Sequence, residues 1–320
     1  MHTDTLQLRL HRITYEADGI SSFEFRSPSG AALPAFTAGA HIDLHLPNGL
    51  VRSYSLLNPQ TETHRYVVGV HRAPDSRGGS KALHETLRVG ALVSVSKPLN
   101  HFVLNEDAAI SVFLAGGIGI TPILGMLERL AQLGKPWTLH FCARTEANAA
   151  YLPRLRQLAE QGRCSLHLNF DDGMVDRMLD VRATVAAAPA DAHLYCCGPI
   201  PMLESFEAAC AARPPEHVHR EYFSAKALPA KAGGFVVELA RSGKTVEVEA
   251  GMSILDAVLA AGVNVPYACM EGTCATCETR VLSGTPDHQD VVLSNAEREA
   301  NDVMMICCSG SKSERLVLDL

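Results

Sequence analysis

The sequence predicts three folding units in series: an all-β barrel, an α/β unit on a parallel sheet, and a smaller C-terminal unit built around cysteines. Three observations predict it. The first hundred residues hold short β-rich runs separated by turn residues. Beyond residue 108 strands and helices alternate. Of ten cysteines, Cys269, Cys274, Cys277, Cys307 and Cys308 crowd the last fifty-odd positions. A chain of 320 residues is long enough for two or three domains with separate cores. The boundaries fall at 1–104, 105–224 and 234–320, with a linker at 225–233 rich in Ala, Lys, Pro and Gly.

In the first unit the β-rich runs are Leu6 to Ile13, Phe23 to Arg26, His41 to Leu46, Arg65 to Val70 and Leu92 to Ser96. Ser27 to Gly30, Pro47-Asn48-Gly49 and Asp75 to Gly79 supply the turns. Even spacing of short strands suggests a small barrel. Arg52-Ser53-Tyr54-Ser55 lies on another such strand. It offers a cation for phosphate, an aromatic face for a planar ring, and hydroxyls for ring heteroatoms. Gly78-Gly79-Ser80 can add backbone N–H groups to the same phosphate. A strand edge and a polar turn would look the same.

In the second unit Ala109 to Ala115 is a continuous apolar run, expected of a strand buried on both faces. Gly116-Gly117-Ile118-Gly119-Ile120-Thr121-Pro122 follows, with Thr121 as a candidate cap and a helix from Pro122 to Leu133 that Gly134 stops. Glycines before a helix let backbone N–H groups approach a pyrophosphate, although Pro122 breaks the usual dinucleotide fingerprint and a plain tight turn would also fit. Cys197-Gly198-Pro199 ends the strand Leu194 to Cys197 and precedes another helix. Ligands of open α/β sheets bind beyond the carboxyl ends of strands, so the two glycine turns are candidates for one dinucleotide cleft. Asp171 and Asp172 follow the strand Leu166 to Phe170 and could accept from a ribose 2′-hydroxyl; Arg144 could instead hold a 2′-phosphate.

In the third unit Phe235 to Ala240 and Thr245 to Glu249 read as strands around Ser242-Gly243, and Ser253 caps a helix to Ala261 that Gly262 ends. Cys269, Cys274 and Cys277 have the pattern C-x4-C-x2-C, and Cys307 follows after 29 residues. That is the ligand order of a plant-type [2Fe–2S] centre. A structural zinc site, the rival, usually pairs two C-x2-C knuckles, and only one short spacing exists here. Cys308 adjoins Cys307, and strand alternation would point the two to opposite faces.

Net charge of −7 with no basic cluster excludes nucleic acid as the expected partner. Arg9, His11 and Arg12 interrupt any signal-peptide core. The most apolar stretch, Val112 to Leu127, is broken by glycines and Pro122, so no membrane span is expected and the cytoplasm is the default location. Paired histidines such as His41 with His45 and His217 with His219 read as surface or core residues rather than metal ligands.

The order of these motifs resembles the phthalate dioxygenase reductase family, the reductase components of class IA Rieske oxygenases, with vanillate O-demethylase reductases as close relatives. The resemblance extends over essentially the whole chain, including Asp287-His288-Gln289-Asp290, Met305 to Ser309 and Leu316 to Leu320. It implies a flavin-binding β-barrel, an NAD-binding α/β domain with a parallel sheet, and a C-terminal β-grasp [2Fe–2S] ferredoxin domain. It further implies FMN, NADH and a terminal Rieske-type oxygenase as electron acceptor. By the same resemblance Arg52 and Ser80 hold the flavin phosphate, with Ser53 and Gly79 beside them. Tyr54 stacks on the ring, Ser55 lies near its N5, and Val70 and His71 line the site. Gly116, Gly117, Gly119, Thr121 and Pro122 face the NADH pyrophosphate. Cys197, with Gly198 and Pro199, lies beside the nicotinamide, and Phe223 packs near the flavin. Cys269, Cys274, Cys277 and Cys307 ligate the cluster. Ala275 stands where many relatives carry glycine, and Gln289 where arginine is common. A reductase serving a non-Rieske hydroxylase or desaturase, and a redox sensor, are the alternatives.

Overall fold

The hydrophobic pattern of the first unit becomes a closed sheet of β1 (Leu6–Ala17), β2 (Ile20–Arg26), β3 (His41–His45), β4 (Val51–Ser55), β5 (Tyr66–His71) and β6 (Leu92–Val95), in the order β4-β3-β6-β1-β2-β5. A bridge between Leu56 and Val68, with the Leu57 amide donating to the Val67 carbonyl at 3.0 Å, joins the two edges. Alternation on β5 sends Tyr66, Val68 and Val70 into the barrel core, and leaves Val67, Gly69 and His71 on the outer wall. α1 (Gly79–Lys81) runs into a π-helical turn, Ala82–Thr86. These are properties of a computed structural model that describes residues 5–74, 76, 78–160, 163–224 and 233–320. Asp75 and Arg77 of the expected turn, and 225–232 of the expected linker, lie outside the described residues.

β7 (Ser111–Gly116), β8 (Trp137–Ala143), β9 (Ser165–Phe170), β10 (His193–Cys197) and β11 (Val218–Glu221) form an all-parallel sheet in the order β11-β10-β7-β8-β9. β7 is buried along its whole length, as a strand covered on both faces must be, while Ala109 at the start of the apolar run is exposed. Between the strands lie α2 (Ile120–Leu133), α3 (Leu152–Ala159), α4 (Val181–Ala187) and α5 (Ile200–Ala209). α2 starts two residues before the expected Pro122. Thr121 is therefore not its cap; its hydroxyl lies inside the first turn and donates to the Ile118 carbonyl at 2.9 Å. Gly134 ends α2 in the left-handed conformation, φ 65°. Leu57 and Val67 of the barrel share one core with Ile120, Leu124 and Tyr151, so the barrel and this sheet pack as one unit through Tyr222.

A second unit runs from Phe223. β12 (Phe235–Leu239) and β13 (Lys244–Val248) form a hairpin turning at Gly243, φ 66°. α6 (Ile254–Ala260) carries a reciprocal cap between Ser253 and Asp256, and β14 (Glu278–Ser283) follows the cysteine loop. β15 (Pro286–Asp287), α7 (Asn295–Ala300), β16 (Val303–Met305), β17 (Gly310–Ser311) and β18 (Arg315–Leu318) complete the unit. The sheet order β13-β12-β18-β14-β16 places β18 at its centre, parallel to β12. This mixed sheet crossed by one helix is the β-grasp arrangement. No described helix is long and apolar enough to cross a membrane.

Candidate functional site

At one end of the barrel, β4 brings its two faces to different tasks. Tyr54 packs toward the barrel core and Ser55 turns outward to the parallel sheet. Arg52 lies against the start of α1. A Cβ on Gly79 would stand 2.8 Å from Arg52 Cγ and 3.0 Å from its Nε, so a side chain there would push the arginine aside. Gly78 takes φ 97°, and its carbonyl accepts from Asn48 Nδ2 at 3.2 Å. The Ser80 hydroxyl donates to Ser76 at 2.9 Å. Arg52, Gly79 and Ser80 thus share one corner, with a cation and a helix start together. Ser53 points elsewhere: its hydroxyl donates to Asp43 at 2.6 Å. Val70 turns its side chain into the barrel core, and its carbonyl lies 3.0 Å from His84 Nε2 of the π turn. His71 is exposed. Burial pushes the Tyr54 phenol above its ordinary range, which keeps it protonated.

The parallel sheet reverses its strand order at β7, since the chain moves to β8 and β9 on one side and then to β10 on the other. Beyond the carboxyl ends of β7 and β10 lies the crevice where such sheets bind ligands. Both glycine turns stand there, in contact. A Cβ on Gly116 would lie 2.5 Å from Pro199 Cδ, and one on Gly119 only 2.2 Å from the Cys197 carbonyl oxygen. Gly117 takes φ 53°. Asp171 and Arg144 flank one turn at the ends of β8 and β9. Asp171 accepts from the Gly173 amide at 2.7 Å, while Asp172 is paired with Arg177 at 2.7 Å.

A carboxylic acid that motif reading missed completes this crevice. Glu221 ends β11 directly beside Cys197 in the register of β10 and β11. It is hydrogen-bonded to Ser55 across the boundary between barrel and sheet. Its Oε2 is buried with no partner among the described residues. Burial raises its pKa from 4.5 to about 8, the Ser55 hydroxyl opposing. Cys197 is fully buried, and its thiol is pushed up first by burial and then by Glu221. Ser55, Cys197 and Glu221 come together from positions up to 166 apart in sequence. The available signal was a lone acid at the end of the last parallel strand. Phe223, two residues further on, is 41% exposed.

The cysteine loop is local by contrast. The amides of Glu271 and Thr273 donate to Cys269 Sγ at 3.3 and 3.4 Å, and the Cys269 amide to Cys274 Sγ at 3.5 Å. Backbone N–H groups aimed at sulfur suit thiolates that carry the charge of an iron–sulfur centre. Cys269 also shares sulfur hydrogen bonds with Cys274 and Cys307. Among the described residues no three metal-binding side chains converge on a single ion. The loop crosses the left-handed region at Met270 (φ 59°), Gly272 (φ 69°) and Ala275 (φ 58°). Cys307 and Cys308 are not on a strand as expected, because β16 stops at Met305; both are buried in a turn. Cys308 packs beneath the loop, where a Cβ on Gly272 would lie 2.4 Å from its Sγ. Asp290 is buried, and its Oδ2 accepts from the amides of Val292 and Leu293 at 3.1 and 2.8 Å. Gln289 donates to Asp287, which also pairs with Lys312.

Residues 237–311 match the family model of the 2Fe-2S iron-sulfur cluster binding domain, and 113–208 that of the oxidoreductase NAD-binding domain. The chain is 56% identical to phenoxybenzoate dioxygenase subunit beta of Ectopseudomonas oleovorans, over 98% of this chain and 97% of that one. Among solved structures it is similar to phthalate dioxygenase reductase, a modular protein for electron transfer from pyridine nucleotides to [2Fe–2S]. The TM-score is 0.75 at 36% identity, over 99% of this chain and 98% of the other. An intact type IV self-sufficient cytochrome P450 monooxygenase gives a TM-score of 0.87 at 35% identity; 99% of this chain matches, but only 41% of that longer one.

Proposed function

The chain belongs to the phthalate dioxygenase reductase family, and from that premise we propose that it takes hydride from NADH where the barrel meets the parallel sheet, and passes electrons singly to a Rieske-type oxygenase. The observation that carries this is the meeting of Ser55, Cys197 and Glu221 at the switch point of the sheet, beside two glycine turns in contact. FMN when bound converts a hydride into single electrons, and a [2Fe–2S] centre accepts them one at a time. Arg52 and Ser80 hold the flavin phosphate, and Tyr54 offers its ring face. The turn Gly116 to Pro122 brings backbone N–H groups to the NADH pyrophosphate. Cys197, with Gly198 and Pro199 after it, borders the nicotinamide, and Asp171 stands at the ribose. Glu221 stays neutral at pH 7, holding its proton where a carboxylate would repel added electron density. Cys269, Cys274, Cys277 and Cys307 hold the cluster. The boundaries 1–104, 105–224 and 234–320 assign one cofactor to each domain. Ten cysteines with no disulfide among them suit the cytoplasm.

Anaerobic stopped-flow mixing with NADH should bleach a bound flavin and then the cluster. Cys274→Ser should keep the first phase and abolish transfer to an added oxygenase. Full oxygenase turnover in that variant would remove the cluster from the path. A second acceptor deserves a test, because a module of the same shape forms part of a self-sufficient cytochrome P450. Co-purification from the native cell would separate a Rieske oxygenase from a P450.

A further inference from the structure

Tyr151, at the head of α3, has φ 65° and ψ 14°, a left-handed conformation that is strained for a residue with a side chain. The surroundings impose it. The ring is 6% exposed and enters the outer wall of the barrel. Its hydroxyl shares a 3.0 Å hydrogen bond with Ser22 of β2. Ser22 is the register partner of Gly69 on β5, and a Cβ on Gly69 would lie 2.3 Å from the phenol oxygen. The same absent Cβ would lie 2.7 Å from Thr121 Cγ2, on the turn that carries the pyrophosphate-facing glycines. Gly69 adjoins Val70, whose carbonyl lies against His84 behind the flavin corner. One bare point on the barrel wall therefore touches Tyr151 and the nucleotide turn, one residue from the flavin wall. A cleft of about 300 Å³, lined by Arg12, Glu16, Arg65, Glu128 and Arg154 among others, lies beside this contact.

We propose that Tyr151 is a positioning residue for hydride transfer: its phenol, locked on Ser22 over Gly69, sets the spacing between nicotinamide and flavin. This rests on the NADH-to-flavin reading above. Burial pushes the phenol's pKa up, so the lock persists across the working pH range.

The test is anaerobic stopped flow of the flavin- and cluster-loaded protein with NADH, comparing wild type, Tyr151→Phe, Ser22→Ala and the double variant. Flavin bleaching at saturating NADH should slow roughly tenfold in each single variant. The long-wavelength charge-transfer absorption of the nicotinamide–flavin complex should weaken, with KM for NADH nearly unchanged. The double variant should be no slower than the worse single one. Reduction by dithionite, which bypasses the nucleotide, should be unaffected. Ser22→Ala keeps the ring in place and carries the test if Tyr151→Phe folds poorly. Wild-type rate and charge-transfer band in both single variants, with only the melting temperature lowered, would overturn the proposal alone. A wild-type flavin that NADH leaves oxidised would overturn the hydride reading and the proposal with it.

Discussion

The crevice at Ser55, Cys197 and Glu221 and the loop from Cys269 to Cys277 both place polar chemistry against buried backbone, but by opposite means. In the crevice nothing is contiguous. A barrel strand, two parallel strands and a helix start supply one group each, and only sheet register brings Glu221 beside Cys197. In the loop nine consecutive residues supply three sulfurs and the amides aimed at them. The crevice depends on what surrounds it, whereas the loop depends on its own backbone. Glycine and alanine expose the difference, because each region holds one where the other might stand.

Gly119→Ala should have the largest effect. Its Cβ would fall 2.2 Å from the Cys197 carbonyl oxygen, a backbone atom with little freedom to retreat. The two turns would part, slowing NADH-driven flavin bleaching by about 100-fold and costing about 1–3 kcal/mol of stability. Near-normal bleaching would mean that the crevice tolerates slack. Glu221→Gln should give a smaller, pH-dependent effect. The folded carboxyl titrates near 8 against an ordinary 4.5, so between those values the folded state binds more protons than the unfolded one. Wild-type stability therefore falls as pH rises through that window, by at most about 1.4 kcal/mol per pH unit from this group. Urea midpoints at pH 5.5, 7 and 8.5 should show the variant gaining on wild type as pH increases; parallel curves would sink the assignment. Ala275→Gly should have the smallest effect and the opposite sign. Relieving a side chain at φ 58° should stabilise the loop by about 1 kcal/mol. The visible absorption of the cluster should then survive to a higher temperature, and an unchanged midpoint would show that the loop carries no strain there.

The same contrast explains what could be read in advance. The buried run ending at Ala115, the cap at Ser253 and the cysteine spacing are local signals, and each marks an element or motif. Ala275, standing where many relatives carry glycine, does take the left-handed conformation that glycine favours, because loop conformation follows from neighbouring residues. Glu221 stayed hidden because its partners are set by strand register. Tyr151 did too, since a left-handed tyrosine leaves no mark in sequence. Cys307 and Cys308 misled because alternation was carried past Met305, where the strand already ends. The burial of Asp290 left no trace either, since the amides that its Oδ2 accepts from are backbone groups, which sequence does not display.

The central position of β18 has a consequence for biosynthesis. Translation delivers Cys269 to Cys307 before Arg315–Leu318, yet the sheet backing their loop stays split until that segment docks between β12 and β14. The framework behind the cysteine loop is therefore closed last, by a strand that follows all of these cysteines in the chain.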